Sequence, residues 1–231
     1  MIPVLAIPCL NRADLLERCL ASIDVPVGRL VIIDNSWDGL EFTIPDRLEP
    51  FTFVTSPPAN LGFGGSVNHV IRTHARAPWW CIANADTEFG PGDLARLAAE
   101  MERGGPRWVG ITDWRVFGLS FEAVERAGLW DENYHPAFVE DCDYERRCDL
   151  AGVQRYFIEG TTSHVRSVSI RSDERNARHN ARTYQSNLAY HAAKWGGAPR
   201  GGERFTTPFD SGAPVSHWTL DLRRIRDNAW D

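Results

Sequence analysis

The amino-acid sequence predicts an α/β sandwich built on a mostly parallel central sheet. Short apolar runs alternate with helical patterns through the first 110 residues, and this alternation is typical of parallel α/β folds. Polar residues directly follow several of the apolar runs: Asn11, Asp34, Asn60 and Asp86. Because open α/β sheets bind ligands at the carboxyl ends of their strands, these positions predict a nucleotide-type site.

The first half of the chain predicts four strands and three helices. The strands are expected at 2–7, 30–33, 51–55 and 79–83. The helices are expected at 13–23, 66–74 and 91–101, where apolar residues recur every three or four positions. Such helices bury one face against a sheet.

The second half predicts three further strands, at 108–111, 115–119 and 153–158, and three helices, at 120–127, 138–151 and 175–195. The last helix is polar, and a stretch rich in Gly and Pro follows it. We therefore expect one domain over 1–171, with parts of about 1–110 and about 111–171, and a helical C-terminal extension and tail over 172–231.

Composition excludes several classes of protein. The net charge of −6 argues against nucleic-acid binding by bulk charge. No apolar run approaches 18 residues, so we expect no membrane span, and the first residues lack a signal-peptide pattern. The five cysteines are odd in number and lack CxxC spacing, which favours a reducing cytoplasm over a disulfide framework or a zinc site.

The segment Glu140-Asp141-Cys142-Asp143 puts three acids in four positions at a predicted helix start. The helix macrodipole offsets part of their repulsion, by about 0.3–1 kcal/mol per charge. Asp141 follows an apolar pair and precedes an arginine pair, a setting that can tune a carboxylate for general base catalysis. The alternative interpretation is a solvated acidic helix start.

An ordered set of motifs extends this hypothesis. It consists of residues 8–12, Asp34-Asn35-Ser36, the glycine-rich stretch 60–68, Asn84-Ala85-Asp86, Glu140-Asp141 and Ser163-His164. Over residues 2–167 the sequence resembles the nucleotide-sugar glycosyltransferases of the GT-A fold, in particular the large inverting family that includes rhamnosyl- and other hexosyltransferases. The resemblance implies a GT-A type α/β/α sandwich and an inverting, metal-dependent sugar transfer. It makes residues 1–171 the catalytic domain, with donor binding in about 1–110 and the acceptor and catalytic part in about 111–171. Trp195, in the C-terminal extension, is then a candidate for stacking on sugar rings or for a subunit contact.

The resemblance also implies roles for single residues. Asp141 would deprotonate the acceptor hydroxyl, and Glu140 would orient it or bind the acceptor. Asp86 and His164 would hold Mn²⁺ or Mg²⁺, which stabilises the departing diphosphate. Asn84 replaces the first acid of the Asp-x-Asp motif in this sequence. The implied donor-binding residues are Pro8, Asn11, Arg12, Asp34, Asn60, Gly64, Gly65, Asn68, Asn84 and Asp86.

The implied donor is a UDP-, dTDP- or GDP-linked sugar, and Asp34 would accept a hydrogen bond from the nucleobase. The acceptor is left open between a glycan, a glycolipid, a small molecule and a protein, and homodimer formation is also left open. Two alternatives remain. A nucleotidyltransferase would want a glycine-rich basic loop after the first strand, where Pro8-Cys9-Leu10-Asn11 stands instead. A non-catalytic nucleotide- or glycan-binding relative would be favoured if 140–143 lacked acids.

Overall fold

The computed structural model describes residues 1–164 and 174–215. Its centre is a seven-stranded sheet in the order β3-β2-β1-β4-β7-β6-β8. The strands are β1 Leu5–Cys9, β2 Leu30–Asp34, β3 Thr52–Thr55, β4 Trp79–Ala83, β6 Arg107–Ile111, β7 Asp113–Ser120 and β8 Gln154–Ile158. Only β7 runs antiparallel to its neighbours in this sheet, so the predicted mostly parallel sheet is confirmed. A separate pair joins β5 Thr87–Glu88 to β9 Ser163–His164.

Helices cover both faces of the sheet. They are α1 Ala13–Ala21, α2 Gly62–Thr73, α3 Asp93–Met101, α4 Phe121–Ala127, α5 Glu140–Leu150 and α6 Glu174–Trp195. Because side chains alternate along a strand, Ile7 of β1 packs in the apolar cluster with α1 and α3, and Ala6 packs in the cluster with α2, α4 and α5. Two cores on opposite faces make the α/β/α sandwich that the sequence predicts.

Helix α2 begins four residues before the predicted start, so the glycines lie inside the helix rather than in a loop before it. The side-chain oxygens of Asn35 and Asn60 accept the N–H groups of Leu61 and Gly62, at 2.9 and 2.8 Å. These bonds satisfy donors that the first helical turn leaves free. Gly62 has φ +70°, and a Cβ there would come within 2.6 Å of the Pro136 carbonyl oxygen, so only glycine fits.

Several other element starts differ from prediction by up to three residues, and two of them have a clear physical reason. Strand β1 begins at Leu5 rather than residue 2, because Ile2 makes only an isolated bridge to Val27. Helix α5 begins at Glu140 rather than 138, because Phe138 and Val139 adopt left-handed backbone angles, with φ 77° and 73°. Within the described residues no helix combines the length and the apolar character needed to cross a membrane.

The C-terminal helix α6 docks on α5 and on the loop before it. Trp195 is fully buried and donates its indole N–H to Asp143 at 2.8 Å. The prediction that Trp195 stacks on sugar rings or forms a subunit contact is therefore wrong, since its surroundings are protein. Its polar neighbourhood in the sequence reflects a buried polar network. Residues 165–173 lie outside the described residues, so the domain division at 171 stays a prediction.

Candidate functional site

A cavity of about 470 Å³ opens at the edge of the sheet where the parallel strands end. Six of the predicted site residues line it: Pro8, Asn60, Asn84, Asp86, Glu140 and Asp141. Six others do not: Asn11, Arg12, Asp34, Gly64, Gly65 and Asn68. The structure thus brings the predicted acids at 86, 140 and 141 into one cavity. Six of the ten predicted donor-binding residues lie outside the lining.

The sheet order sets the direction of the cavity. Its lining includes Asn35 after β2, Pro8 in β1, Asn84 after β4 and Trp114 in β7, and these strands are successive neighbours. With strands about 4.8 Å apart, the cavity spans three spacings, or about 14 Å. Helix α5 borders the β7 side, since the indole N–H of Trp114 donates to Glu145 at 2.9 Å.

At the β2 side, Asp34 shapes a loop. Its carboxylate is 2% exposed and accepts the backbone N–H groups of Ser36 and Leu40, at 2.9 and 2.7 Å. Ser36 in turn accepts the N–H of Asn11 at 2.8 Å, which links the loop after β1 to the loop after β2. Asp34 therefore supports this end of the cavity from behind, and its contact with a nucleobase stays a prediction.

The other predicted residues outside the cavity also support it. Asn68 is buried, and its amide bonds both the N–H and the C=O of Trp130 at 2.8 Å. A Cβ on Gly64 would lie 3.4 Å from the Trp130 side chain, so the glycines let α2 pack closely on this loop. Arg12 forms an ion pair with Asp14.

Asp86 lies in the middle of the cavity wall and is 8% exposed. The residue after it, Thr87, pairs with His164 across the β5–β9 ladder, so the backbone brings the two predicted metal ligands to neighbouring positions. The side chain of His164 lies outside the described part of the chain. Among the described residues no group of three or more His, Cys, Asp or Glu side chains forms a metal cluster, so metal binding stays a prediction.

The two acids that begin α5 have different surroundings. Glu140 is 8% exposed, and its Oε2 atom has no hydrogen-bond partner among the described residues. Burial, and secondarily the charge of Asp141, raises the pKa of Glu140 well above its usual value. Asp141 is more accessible, with 31% of its side chain exposed, and it accepts a hydrogen bond from Arg200 at 3.1 Å. Of the two acids, Asp141 is the one that a ligand can reach, whereas burial disfavours the ionised form of Glu140.

A buried ionic network holds this helix start in place. Burial alone would raise the pKa of Asp143, but Arg147 and Lys194 outweigh burial and lower it to about 2. The Arg147 Nε lies 2.8 Å and the Lys194 Nζ lies 2.7 Å from the Asp143 carboxylate. Lys194 also reaches Asp131 at 2.7 Å. The network connects α5, α6 and the loop that carries Trp130.

Several lining residues were missed by sequence reasoning. They are Trp114, Phe138, His179 and Asn180, together with Arg200 beside Asp141. Phe138 owes its position to its left-handed backbone and to Asn187, whose amide donates to the carbonyls of residues 137 and 138 at 3.0 and 2.9 Å. No local pattern predicts such contacts, because they join positions about 50 residues apart.

Residues 4–118, about half of the chain, match the model of the family described as Glycosyl transferase family 2. The chain belongs to the GT-A glycosyltransferases. This glycosyltransferase is 24% identical to a galactofuranosyl glycosyltransferase of Leishmania donovani, over 100% of its own length and 76% of the relative's. It is 32% identical to an uncharacterized glycosyltransferase of Mycobacterium tuberculosis, over 53% of each chain.

A solved structure supports the same fold. The crystal structure of GalNAc-T7 with UDP, GalNAc and Mn²⁺ superposes on the glycosyltransferase with a TM-score of 0.57 and 11% identity, over 71% of this chain and 44% of that one. At this identity the likeness shows the fold alone. The predicted GT-A fold is confirmed, and the chain spans about half the length of the mycobacterial relative and less than half of GalNAc-T7.

Proposed function

We propose that the protein transfers a hexose from a nucleotide diphosphate sugar to an acceptor hydroxyl, with inversion at the anomeric carbon and Asp141 as the general base. The observation that carries this proposal is the placement of an accessible carboxylate, Asp141, at the start of α5 and in the same cavity as Asp86 and the loop that follows β1. Asp113 also lines the cavity, in an ion pair with Arg115. A nucleotide at the β1–β2 side and an acceptor at the β7 side would meet between Asp86 and Asp141.

Asp141 and the cavity walls perform the transfer in this proposal. The Asp141 carboxylate accepts the proton of the acceptor hydroxyl as its oxygen bonds to the anomeric carbon. The bond from that carbon to the nucleotide diphosphate breaks on the opposite face, which inverts the configuration. Arg200 keeps one Asp141 oxygen in a defined direction. The cavity holds both reactants in line, which lowers the entropic cost of their encounter.

The residues present fit a divalent cation. Asp86 offers a buried, hard oxygen ligand at the cavity wall, and the β5–β9 register places the His164 backbone beside it. Asp86 and His164 would hold the ion, and the donor diphosphate would complete its coordination. Bound there, a cation would stabilise the negative charge on the leaving diphosphate. The Mn²⁺ and UDP in the GalNAc-T7 structure support this choice of metal and of nucleotide.

The similar proteins help to rank the candidate sugar donors. The name of the Leishmania relative, a galactofuranosyl glycosyltransferase, supports a hexose as the transferred sugar. The UDP in the GalNAc-T7 structure favours UDP over dTDP or GDP as the nucleotide. The thermal unfolding midpoint with UDP, dTDP and GDP, each with and without Mn²⁺, tests this order. A bound nucleotide stabilises by about 2.7 kcal/mol at a hundredfold excess over Kd. UDP with Mn²⁺ should raise the midpoint most.

Substitution of the base tests the mechanism. Asp141→Asn should cut transfer by about 10²–10⁴, since the amide cannot accept the proton, while UDP binding stays unchanged. Asp149→Asn is the matched control, because Asp149 lies on the same helix with a side chain 59% exposed and pairs with Arg155. If Asp141→Asn keeps more than a tenth of the turnover with saturating donor, Asp141 is not the base.

A further inference from the structure

The β7 side of the cavity is lined by both aromatic and polar side chains. We propose that this region, which we call the acceptor end, binds a saccharide acceptor, with one sugar face on an aromatic ring and a second hydroxyl bonded to Glu140. The proposal rests on the proposed function and names the substrate class of the same site. The acceptor end consists of Trp114, Phe138, Glu140, His179 and Asn180.

The position of the acceptor end follows from the sheet order. Trp114 lies in β7, three strands from β2 and Asn35, whereas Asn84 and Asp86 follow β4 in between. A donor whose nucleoside lies at the β2 side and whose diphosphate lies at Asp86 would point its sugar towards β7. The molecule that offers its hydroxyl to Asp141 must therefore occupy the acceptor end.

Trp114 supplies a rigid apolar wall. Its ring lies 4.2 Å from that of Trp108 and 5.9 Å from that of Trp130, and its N–H is bonded to Glu145. A ring held at several points loses little entropy when a ligand packs on it. Phe138 is held similarly, by the Asn187 hydrogen bonds to the backbone beside it. The apolar C–H face of a sugar ring suits such a wall, whereas its hydroxyl edge needs polar partners.

Glu140 points to a ligand with more than one hydroxyl. A buried polar atom without a partner costs stability. Within residues 1–164 and 174–215 nothing bonds the Oε2 of Glu140, which marks an unfilled hydrogen-bonding position in the cavity wall. Glu140 and Asp141 are consecutive in the first turn of α5, so their Cα atoms lie about 3.8 Å apart. Neighbouring hydroxyls of a sugar could engage both acids. An alkyl alcohol or a serine side chain offers a single hydroxyl, which Asp141 would take.

The α6 residues complete the polar side. Asn180 is 8% exposed and lines the cavity beside His179. Its amide can both donate and accept, which matches sugar hydroxyls. The acceptor end is built from three segments, namely β7, the start of α5 and α6, and none of them carries a predicted donor-binding residue. Selectivity for the acceptor is thus expected to depend on α6.

Saturation-transfer NMR on the full chain with UDP and Mn²⁺ tests the proposal. The probes are the methyl glycosides of glucose, galactose, mannose and N-acetylgalactosamine, with N-acetylserine amide and 1-octanol for comparison. We expect a saturation-transfer signal, and hence binding, for at least one glycoside and no such signal for the two single-hydroxyl probes. Binding of a probe alcohol in place of every glycoside, or no glycoside signal at all, would overturn the proposal.

Variants locate the bound sugar. Asn180→Ala and Glu140→Leu should each raise the glycoside Kd about tenfold, the effect of one lost hydrogen bond. Glu140→Gln should retain binding, because it keeps a polar group at the position. Arg182→Ala, an exposed change on the same helix outside the cavity wall, is the control.

The UDP affinity of each variant separates the two proposals. Unchanged UDP binding shows that a variant is folded and its donor site intact. Loss of glycoside binding with UDP retained supports the acceptor end, and an unchanged glycoside Kd in both Asn180→Ala and Glu140→Leu overturns it. Failure of the wild type to bind any nucleoside diphosphate would instead overturn the proposed function.

Discussion

Replacement of Lys194 by Met tests whether the buried ionic network fastens α6 to the candidate catalytic helix. Lys194 is 1% exposed, and its Nζ lies 2.7 Å from both Asp131 and Asp143. Methionine fills a similar volume without a charge. The variant therefore removes the cation and leaves two buried or half-buried carboxylates with fewer partners.

The structure sets the size of the effect. Removing one partner of a buried ion pair costs about 3–5 kcal/mol, because the other charge stays buried. Asp143 keeps Arg147 and Trp195, each at 2.8 Å. Asp131 keeps the hydroxyl of Tyr190 at 2.9 Å. Since both carboxylates retain partners, we expect the lower end of the range, about 3 kcal/mol of the free energy of unfolding.

The pH dependence gives a second measure. The folded-state pKa of Asp143, about 2, lies below its ordinary value of 3.8. A depressed pKa stabilises the fold above the ordinary value, by about 2–3 kcal/mol here, and this stability is lost as pH falls from about 4 to 2. Lys194 contributes to that depression. The difference between wild type and Lys194→Met should therefore be largest near pH 7 and shrink below pH 4.

Urea unfolding at pH 7 and at pH 3 measures both effects. Arg103→Met is the control, because the Arg103 side chain is 66% exposed and its ion pair with Glu100 should contribute under about 1 kcal/mol. A loss below about 1 kcal/mol for Lys194→Met at pH 7, or an equal loss at both pH values, would refute the assignment of a stabilising buried charge to Lys194.

Three further substitutions test the donor side. Asp86→Ala should weaken UDP binding in the presence of Mn²⁺ but not in EDTA, by calorimetry; equal affinities in Mn²⁺ for variant and wild type would remove Asp86 from the metal site. Asp34→Ala should weaken free UDP and the intact donor equally, and an unchanged Kd for both would show that its loop does not serve the nucleotide. Asn68→Ala should cost about 2–4 kcal/mol in urea unfolding, because both backbone groups of Trp130 lose a buried partner; a cost under 1 kcal/mol would mean that water replaces the amide.

The sheet and most helices could be predicted from the sequence because their signals are local. Apolar runs such as 30–33 and 79–83 form strands within a residue of the predicted limits. The start of α2 could not be predicted, since the bonds that begin it come in part from Asn35, 26 residues away. A glycine-rich stretch predicts a loop, and only the segment that packs on it shows that it is helical here.

The candidate site shows the same difference between local signals, which the sequence reveals, and contacts between distant residues, which it does not. Asp86, Glu140 and Asp141 follow or begin regular elements, so their motifs could be recognised, and all three line the cavity. Asp34 ends strand β2, and its carboxylate accepts backbone N–H groups of the turn that begins there. A carboxylate at the end of a strand can bind a ligand or bond the backbone of the next turn, and the sequence pattern is the same for both, so the contact of Asp34 with a nucleobase stays a prediction.

The polar character of α6 explains why its role could not be predicted. Polar residues such as Lys, Tyr, His and Asn on several faces of a helix predict that it is exposed to solvent. In the structure, however, Asn187, His191 and Lys194 are all buried. Each of them bonds a group in residues 131–143 or in the loop after α6. Removal of α6 would therefore strip partners from buried charges around the candidate base, so truncation would confound folding with function. Single substitutions on α6 that leave Lys194 intact are the sharper way to ask what the helix contributes to the acceptor.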